Sequence, residues 1–159
     1  MNITSYYNFI LTDKNAGYFE IRHTKDEIHL YTLFKIKEKA YENKIVLNKD
    51  DDKVMKYKYG DNDWRLIPKG GNYYPTAAYP ILLKNLHAQR KYIAINEEDG
   101  MVLGETVLAR NGNTVDEIRD GKITRKFWIK GENIFRIDWG GAISELCKNI
   151  EDAKKNSGL

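Results

Sequence analysis

The side chains best suited to bind a small molecule are a set of aromatic rings and arginines in the middle and late parts of the chain. Tryptophan and tyrosine combine an apolar ring with one polar atom, and arginine forms paired hydrogen bonds with a carboxylate or a phosphate. Together these groups suit an amphiphilic ligand in the mouth of a β-structure. The candidate binding residues are Trp64, Arg65, Tyr73, Tyr74, Tyr79, Trp128, Arg136 and Trp139. The alternative is that the rings fill a core and that Arg136 pairs with Asp138 or another acid.

The residues most used in catalysis and metal binding form no specific motif. His23 and His29 flank a predicted turn beside Asp26 and Glu27, but a metal site also needs a third ligand on another strand. Cys147 lies on the apolar face of a predicted helix, where packing is its expected role. The sequence contains no nucleophile elbow, P-loop or dinucleotide-binding glycine motif. We therefore predict no catalytic residue, no metal and no cofactor.

Composition and charge favour a globular protein that does not bind nucleic acid. The 159 residues have a formal net charge of +3, and charges of both signs are interleaved instead of collected on one face. The short basic stretch KITRKFWIK is interpreted as a solvated strand face. No basic, apolar leader and no apolar run of about 20 residues is present, so we expect a cytoplasmic protein without a transmembrane segment. The oligomeric state stays open.

Alternation of apolar and polar residues predicts antiparallel strands along most of the chain. One face of the stretch EIHLYTLFKIK carries Ile28, Leu30, Thr32, Phe34 and Ile36. Turn residues indicate about five strands before a proline-rich segment and about five after it. Because no helical layer is predicted in the first 140 residues, these meanders are expected to close on themselves as a spiral β-roll or barrel. A sandwich would show the same alternation.

The proline-rich segment 68–83, PKGGNYYPTAAYPILL, is predicted to be an ordered crossover. Its tyrosine, alanine, isoleucine and leucine residues are not those of a flexible linker. Since proline cannot donate to a β-ladder, the segment should lie along a sheet edge or over a barrel end. We therefore expect a single domain over residues 1–159.

One helix is predicted, near residues 142–155. Its apolar residues recur at helical spacing, at Ile143, Leu146, Cys147, Ile150 and Ala153. The helix is expected to plug or cover one open end of the β-structure.

The layout resembles a family of spiral β-roll proteins described as glycolipid-binding. The resemblance is carried by a meander that reaches the tryptophan of DNDWRL and by a proline-rich segment that ends in PTAAYPILL. Residues 76–83 are the part that aligns, and a second meander follows. The resemblance implies a spiral β-roll that binds a glycolipid.

Three hypotheses of function follow. The first is a non-enzymatic binding protein for a lipid, a glycolipid or another amphiphilic small molecule. The second is a small enzyme, a hydrolase or an isomerase, that uses carboxylates or His29 in a polar cavity of the same fold. The third is a protein–protein interaction module that uses a sheet edge or the terminal helix. The residues that line the interior separate the first two hypotheses.

Overall fold

The protein is mainly β, as predicted. The computed structural model describes residues 3–50, 54–67, 72–83, 86, 89–96 and 100–159. Strands make up 65% of these residues and helices 9%, which confirms the predicted class. No helix in the described ranges is long and apolar enough to cross a membrane.

Thirteen strands, instead of about ten, occur in the described part of the chain. Two short helices are α1 (Tyr79–Leu82), which follows a 3-10 turn at Thr76–Ala78, and α2 (Ile150–Lys154). The strands are β1 (Ile3–Leu11), β2 (Lys14–His23), β3 (Glu27–Ile36), β4 (Lys39–Asn48), β5 (Val54–Tyr59), β6 (Arg65–Leu66), β7 (Tyr73–Pro75), β8 (Gln89–Ile95), β9 (Val102–Asn111), β10 (Thr114–Arg119), β11 (Lys122–Lys130), β12 (Asn133–Asp138) and β13 (Ala142–Cys147).

All thirteen strands belong to one sheet that consists of two meanders. Its order is β6-β5-β4-β3-β2-β1-β13-β12-β11-β10-β9-β8-β7, so the first and last long strands pair at its centre, with Leu11 opposite Ala142. The expectation of antiparallel strands was wrong for β7, which runs parallel to β8 and places Tyr73 opposite Ile93. A parallel pair needs a crossover connection, and the segment that contains α1 provides it.

Closure into a barrel is not supported. The two end strands of the sheet, β6 and β7, have no strand pairing with each other in the described residues. Both are short, and β7 ends at Pro75, which has no backbone N–H for a further ladder. The sheet is therefore mixed and open.

The open sheet nevertheless curls around one face. The core cluster on that face takes residues from both meanders, with Tyr57 of β5 and Ile95 of β8 among them. A Cβ atom added to Gly100, after β8, would lie 2.9 Å from the ring of Tyr59 in β5. The two ends of the sheet thus approach each other in space without forming a ladder. Ile28, Leu30 and Phe34 of the predicted β3 face are buried.

The proline-rich segment is largely interior. Residues 74–81 are all buried, and residues 68–71 lie outside the described part. Pro80 is near the start of α1, where a missing N–H costs no helical hydrogen bond.

The predicted C-terminal helix is present, but it is shorter than predicted and packs on a different part of the sheet. Residues 142–147 form β13, and only Ile150–Lys154 are helical. The Lys154 ammonium lies 5.6 Å from the ring centroid of Tyr18, whose neighbour Phe19 belongs to the core. Strand side chains alternate between faces, so α2 covers the outer face of the sheet and not an open end.

Candidate functional site

Strand β10 places charged side chains toward the core. Val115, Glu117 and Arg119 share its inner face, and both Val115 and Glu117 are fully buried. Ile118 lies between them on the outer face, and Ile123 on the neighbouring strand is 63% exposed. The usual distribution of polar and apolar residues is therefore reversed at this point of the sheet.

A β-bulge directs two side chains of β11 toward Glu117. Glu117 pairs with Arg125, whereas Ile118 pairs with Ile123, which leaves Thr124 as the extra residue. Bulges re-aim side chains in this way. The Thr124 hydroxyl donates to Glu117 Oε1 at 2.5 Å, and Arg125 Nη1 donates to Glu117 Oε2 at 3.1 Å.

Arg119 completes the group from the other side. Its Nη2 lies 3.2 Å from Glu117 Oε1, and its Nε donates to the buried Thr106 hydroxyl at 3.1 Å. The approach of Nη2 does not have hydrogen-bond geometry, so this buried nitrogen has no hydrogen bond to a described residue. The Arg119 and Arg125 side chains are only 15% and 11% exposed. We call Glu117, Arg119, Arg125, Thr106 and Thr124 the Glu117 cluster.

A chain of aromatic rings crosses the core next to this cluster. Neighbouring rings have centroids 4.5–6.2 Å apart, and most meet edge to face, an arrangement that aromatic pairs favour. The Arg125 guanidinium lies 5.7 Å from the Trp139 ring, whose indole N–H donates to Ser144 at 2.9 Å. We call this set the aromatic run, which consists in order of Tyr7, Phe19, Trp139, Phe127, Tyr79, Tyr92 and Tyr74.

Two tyrosine hydroxyls end beside the Glu117 cluster without a hydrogen bond. Tyr79 and Tyr92 are 0% and 3% exposed, and neither hydroxyl has a partner of acceptable geometry among the described residues. Burial raises the pKa of Tyr79, and the proximity of Tyr92 and Glu117 raises it further. Burial also raises the pKa of Tyr92. Both groups therefore stay protonated and are buried hydrogen-bond donors.

The structure brings only some of the predicted binding residues together. Tyr74, Tyr79 and Trp139 belong to the aromatic run, and Tyr73 packs against the core from the sheet edge. The others lie on the surface or on the outer face. Trp64 and Arg65 are exposed. Trp128 lies on the outer face, where its ring centroid is 5.5 Å from the guanidinium carbon of the exposed Arg136.

Sequence reasoning missed the charged members of the site. The interpretation of KITRKFWIK as a solvated strand face was wrong for Arg125, which is mostly buried. The turn at Asp120-Gly121 could have indicated these residues. Because side chains alternate along the strand before the turn, Val115, Glu117 and Arg119 must share one face of it.

His23 and His29, which flank the turn between β2 and β3, do not come together. Arg22 is opposite His29, so His23 and His29 lie on different faces of the sheet. His29 instead lies 3.1 Å from Glu27, in an outer groove of about 310 Å³ whose walls include Tyr31 and Trp64. The described residues contain no group of three His, Cys, Asp or Glu side chains that could hold a metal.

Comparisons of the chain with family models, with curated proteins and with solved structures found no match. The resemblance to the glycolipid-binding β-rolls therefore stays a prediction. Evidence for function comes from the geometry of the Glu117 cluster and the aromatic run.

Proposed function

We propose that the protein is a non-enzymatic binding protein for a small amphiphile, a class that includes lipids and glycolipids. Its apolar part would lie along the aromatic run, and its polar end would lie at the Glu117 cluster. The observation that carries this proposal is the contact of Arg125 with both Glu117 and Trp139, because it joins the polar and aromatic groups into one site. Small-molecule sites combine an aromatic lining with a few convergent polar groups in this way.

The unpaired ends of the sheet offer a route to this interior. Arg65 and Leu66 lie on one side of the opening, and Gly100 and Met101 lie on the other. A Cβ atom on Gly100 would lie 3.7 Å from the Arg65 guanidinium, so the two sides are close. Leu66 and Met101 are 75% and 65% exposed, so an apolar side chain reaches solvent on each side. An amphiphile that enters here would separate side chains, and it would not break a ladder between the described strands.

Co-purification and fluorescence test the proposal. Native mass spectrometry and solvent extraction of the purified protein are expected to reveal a bound amphiphile. A fluorescent fatty acid should change the tryptophan emission through Trp139. Trp139→Phe should therefore remove most of that change, whereas the matched control Trp128→Phe, on the outer face, should leave it intact. The proposal fails if no ligand co-purifies and no lipid probe alters the emission.

A second candidate function, a small enzyme, is favoured by one observation. Several titratable side chains converge in the interior, where the Glu117 carboxylate lies beside Tyr79 and Tyr92. Glu117 would then act as the acid or base of a hydrolase or isomerase. Incubation with a panel of activated esters tests this alternative. Turnover that Glu117→Gln abolishes without loss of binding would favour the enzyme.

A further inference from the structure

We infer that the polar end of the ligand is a carboxylate, bound by the Tyr79 and Tyr92 hydroxyls and by the Arg119 guanidinium. This inference rests on the proposed function and specifies its head group. The structure contributes three buried donor groups that make no hydrogen bond of acceptable geometry to a described residue, although Arg119 Nη2 lies 3.2 Å from Glu117 Oε1. These donors are Tyr79 Oη, Tyr92 Oη and Arg119 Nη2.

These three donors lie close to one another on the inner side of the sheet. Tyr92 and Thr106 are paired residues on β8 and β9, and Thr106 accepts a hydrogen bond from Arg119 Nε. Tyr79 meets Tyr92 edge to face, with ring centroids 5.4 Å apart. The donors therefore come from β8, from β10 on the other side of β9, and from α1, and we expect one guest to contact all of them.

The surroundings favour a guest that accepts hydrogen bonds. Among the described residues, the carboxylate beside these donors is that of Glu117. Its oxygens already contact Thr124, Arg119 and Arg125. A tyrosine hydroxyl and a guanidinium donate best to a charged oxygen, and arginine suits a carboxylate in particular. Burying a hydroxyl without a partner is unfavourable, so a group that supplies the missing acceptor binds with an advantage.

The inference predicts opposite effects on stability and on affinity. If the Tyr79 hydroxyl has no partner in the empty protein, Tyr79→Phe removes an unfavourable buried group and raises the melting temperature. The same change removes a hydrogen bond to the bound carboxylate and weakens its binding about tenfold. A tyrosine with a purely structural role would not separate the two readouts.

The experiment compares dodecanoate with dodecanol, which share a chain length and differ in the head group. The wild-type protein is expected to bind dodecanoate at least about tenfold more tightly. Tyr79→Phe and Tyr92→Phe should each reduce the affinity for dodecanoate and leave that for dodecanol unchanged. The matched control is Tyr31→Phe, since Tyr31 lies in the outer groove, away from the aromatic run, and its hydroxyl donates to Glu42 Oε2 at 2.7 Å. It should lower the melting temperature and leave the preference for dodecanoate intact.

The outcomes separate the inference from the proposed function. Equal affinity for both probes, unaffected by either phenylalanine variant, would overturn the carboxylate and leave the binding function in place. A lower melting temperature for Tyr79→Phe would show that a water or a protein group already satisfies the hydroxyl, which also overturns the inference. Binding of neither probe to the wild-type protein would overturn both. The opposite shifts in stability and affinity, with the control unchanged in preference, would support it.

Discussion

Replacing Glu117 by glutamine measures how far the fold depends on the buried charges of its interior. The Glu117 side chain is fully buried, with Arg119 Nη2 at 3.2 Å and Arg125 Nη1 at 3.1 Å. Glutamine preserves the volume and keeps an oxygen for Thr124, but it leaves two guanidinium groups beside a neutral amide. Removing one partner of a buried ion pair costs about 3–5 kcal/mol. Because both arginines retain some contact with solvent, we expect the lower end, about 3 kcal/mol.

Urea unfolding followed by circular dichroism measures this loss. The midpoint should fall while the m-value stays unchanged, since the variant alters an interaction and not the surface exposed on unfolding. In calorimetry, 3 kcal/mol corresponds to a drop of about 6–12 °C for a domain of this size. The matched control is Glu105→Gln on β9, where the residue is exposed, and its change should stay within about 0.5 kcal/mol.

Two results would refute this reasoning. A loss below about 1 kcal/mol would mean that solvent stabilises the arginines and that the cluster is not a buried one. A triple variant with Glu117→Leu, Arg119→Met and Arg125→Met provides the second test. It should be more stable than Glu117→Gln, because replacing a whole buried ionic group by apolar side chains is often neutral or stabilising. A triple variant that is less stable would show that the charges are already well compensated.

Three further changes test the backbone and the terminal helix. A Cβ atom on Gly17 would lie 2.2 Å from the Leu33 carbonyl oxygen, so Gly17→Ala should lower the free energy of unfolding in urea by at least about 3 kcal/mol. A near-neutral result would contradict the close approach of these strands. The Asn15 side-chain amide donates to two carbonyls of the α2 region, at 2.8 Å each, so Asn15→Ala should speed amide hydrogen exchange in α2. Unchanged exchange would show that these two hydrogen bonds do not hold α2 in place. Lys37 and Glu38 form a two-residue turn with φ values of 47° and 71°, which asparagine and glycine adopt with less strain. The double variant Lys37→Asn, Glu38→Gly should therefore stabilise the protein by about 1 kcal/mol or more. A lower urea midpoint would argue against strain in this turn.

The strands of the first meander were predictable because their pattern is local. In β3, alternation alone identified Ile28, Leu30 and Phe34 as inward-facing, and all three are buried. Period-two alternation specifies the face of each residue wherever one side of a strand is covered. Some turns followed from residues that favour positive φ, such as Asp120-Gly121, whereas the turn at Lys37-Glu38 carries no such residue.

The end of the chain was not predictable in the same way. Ile143 and Leu146 have helical spacing, yet they lie in β13, which pairs with β1 at the other end of the sequence. Leu146 is 38% exposed, so the apolar pattern there did not mark a buried helix face. Pairing between strands about 140 residues apart overrides local preference, and such pairing leaves no trace in a short window of sequence.

The open edges of the sheet depended on non-local contacts as well. The parallel pairing of β7 with β8 follows from the way the proline-rich segment folds through the interior, with Tyr79 and Leu83 fully buried. Alternation within each meander contains no information about whether the outermost strands meet. The same pattern therefore predicted a roll, a barrel and a sandwich equally.

The reversed polarity of β10 is the strongest link between fold and function. A buried group of one glutamate and two arginines is seldom the most stable solution, since apolar residues of similar volume often serve the fold as well or better. Glu117 and Arg119 nevertheless occupy inner positions that Val115 shows to be core, and a bulge aims Arg125 at them. Sequences depart from locally consistent choices mainly where function requires it. The charges lie where the aromatic run passes, beside two tyrosine hydroxyls that make no hydrogen bond to a described residue. The proposed ligand, which would supply an acceptor, would account for features that packing alone leaves unexplained.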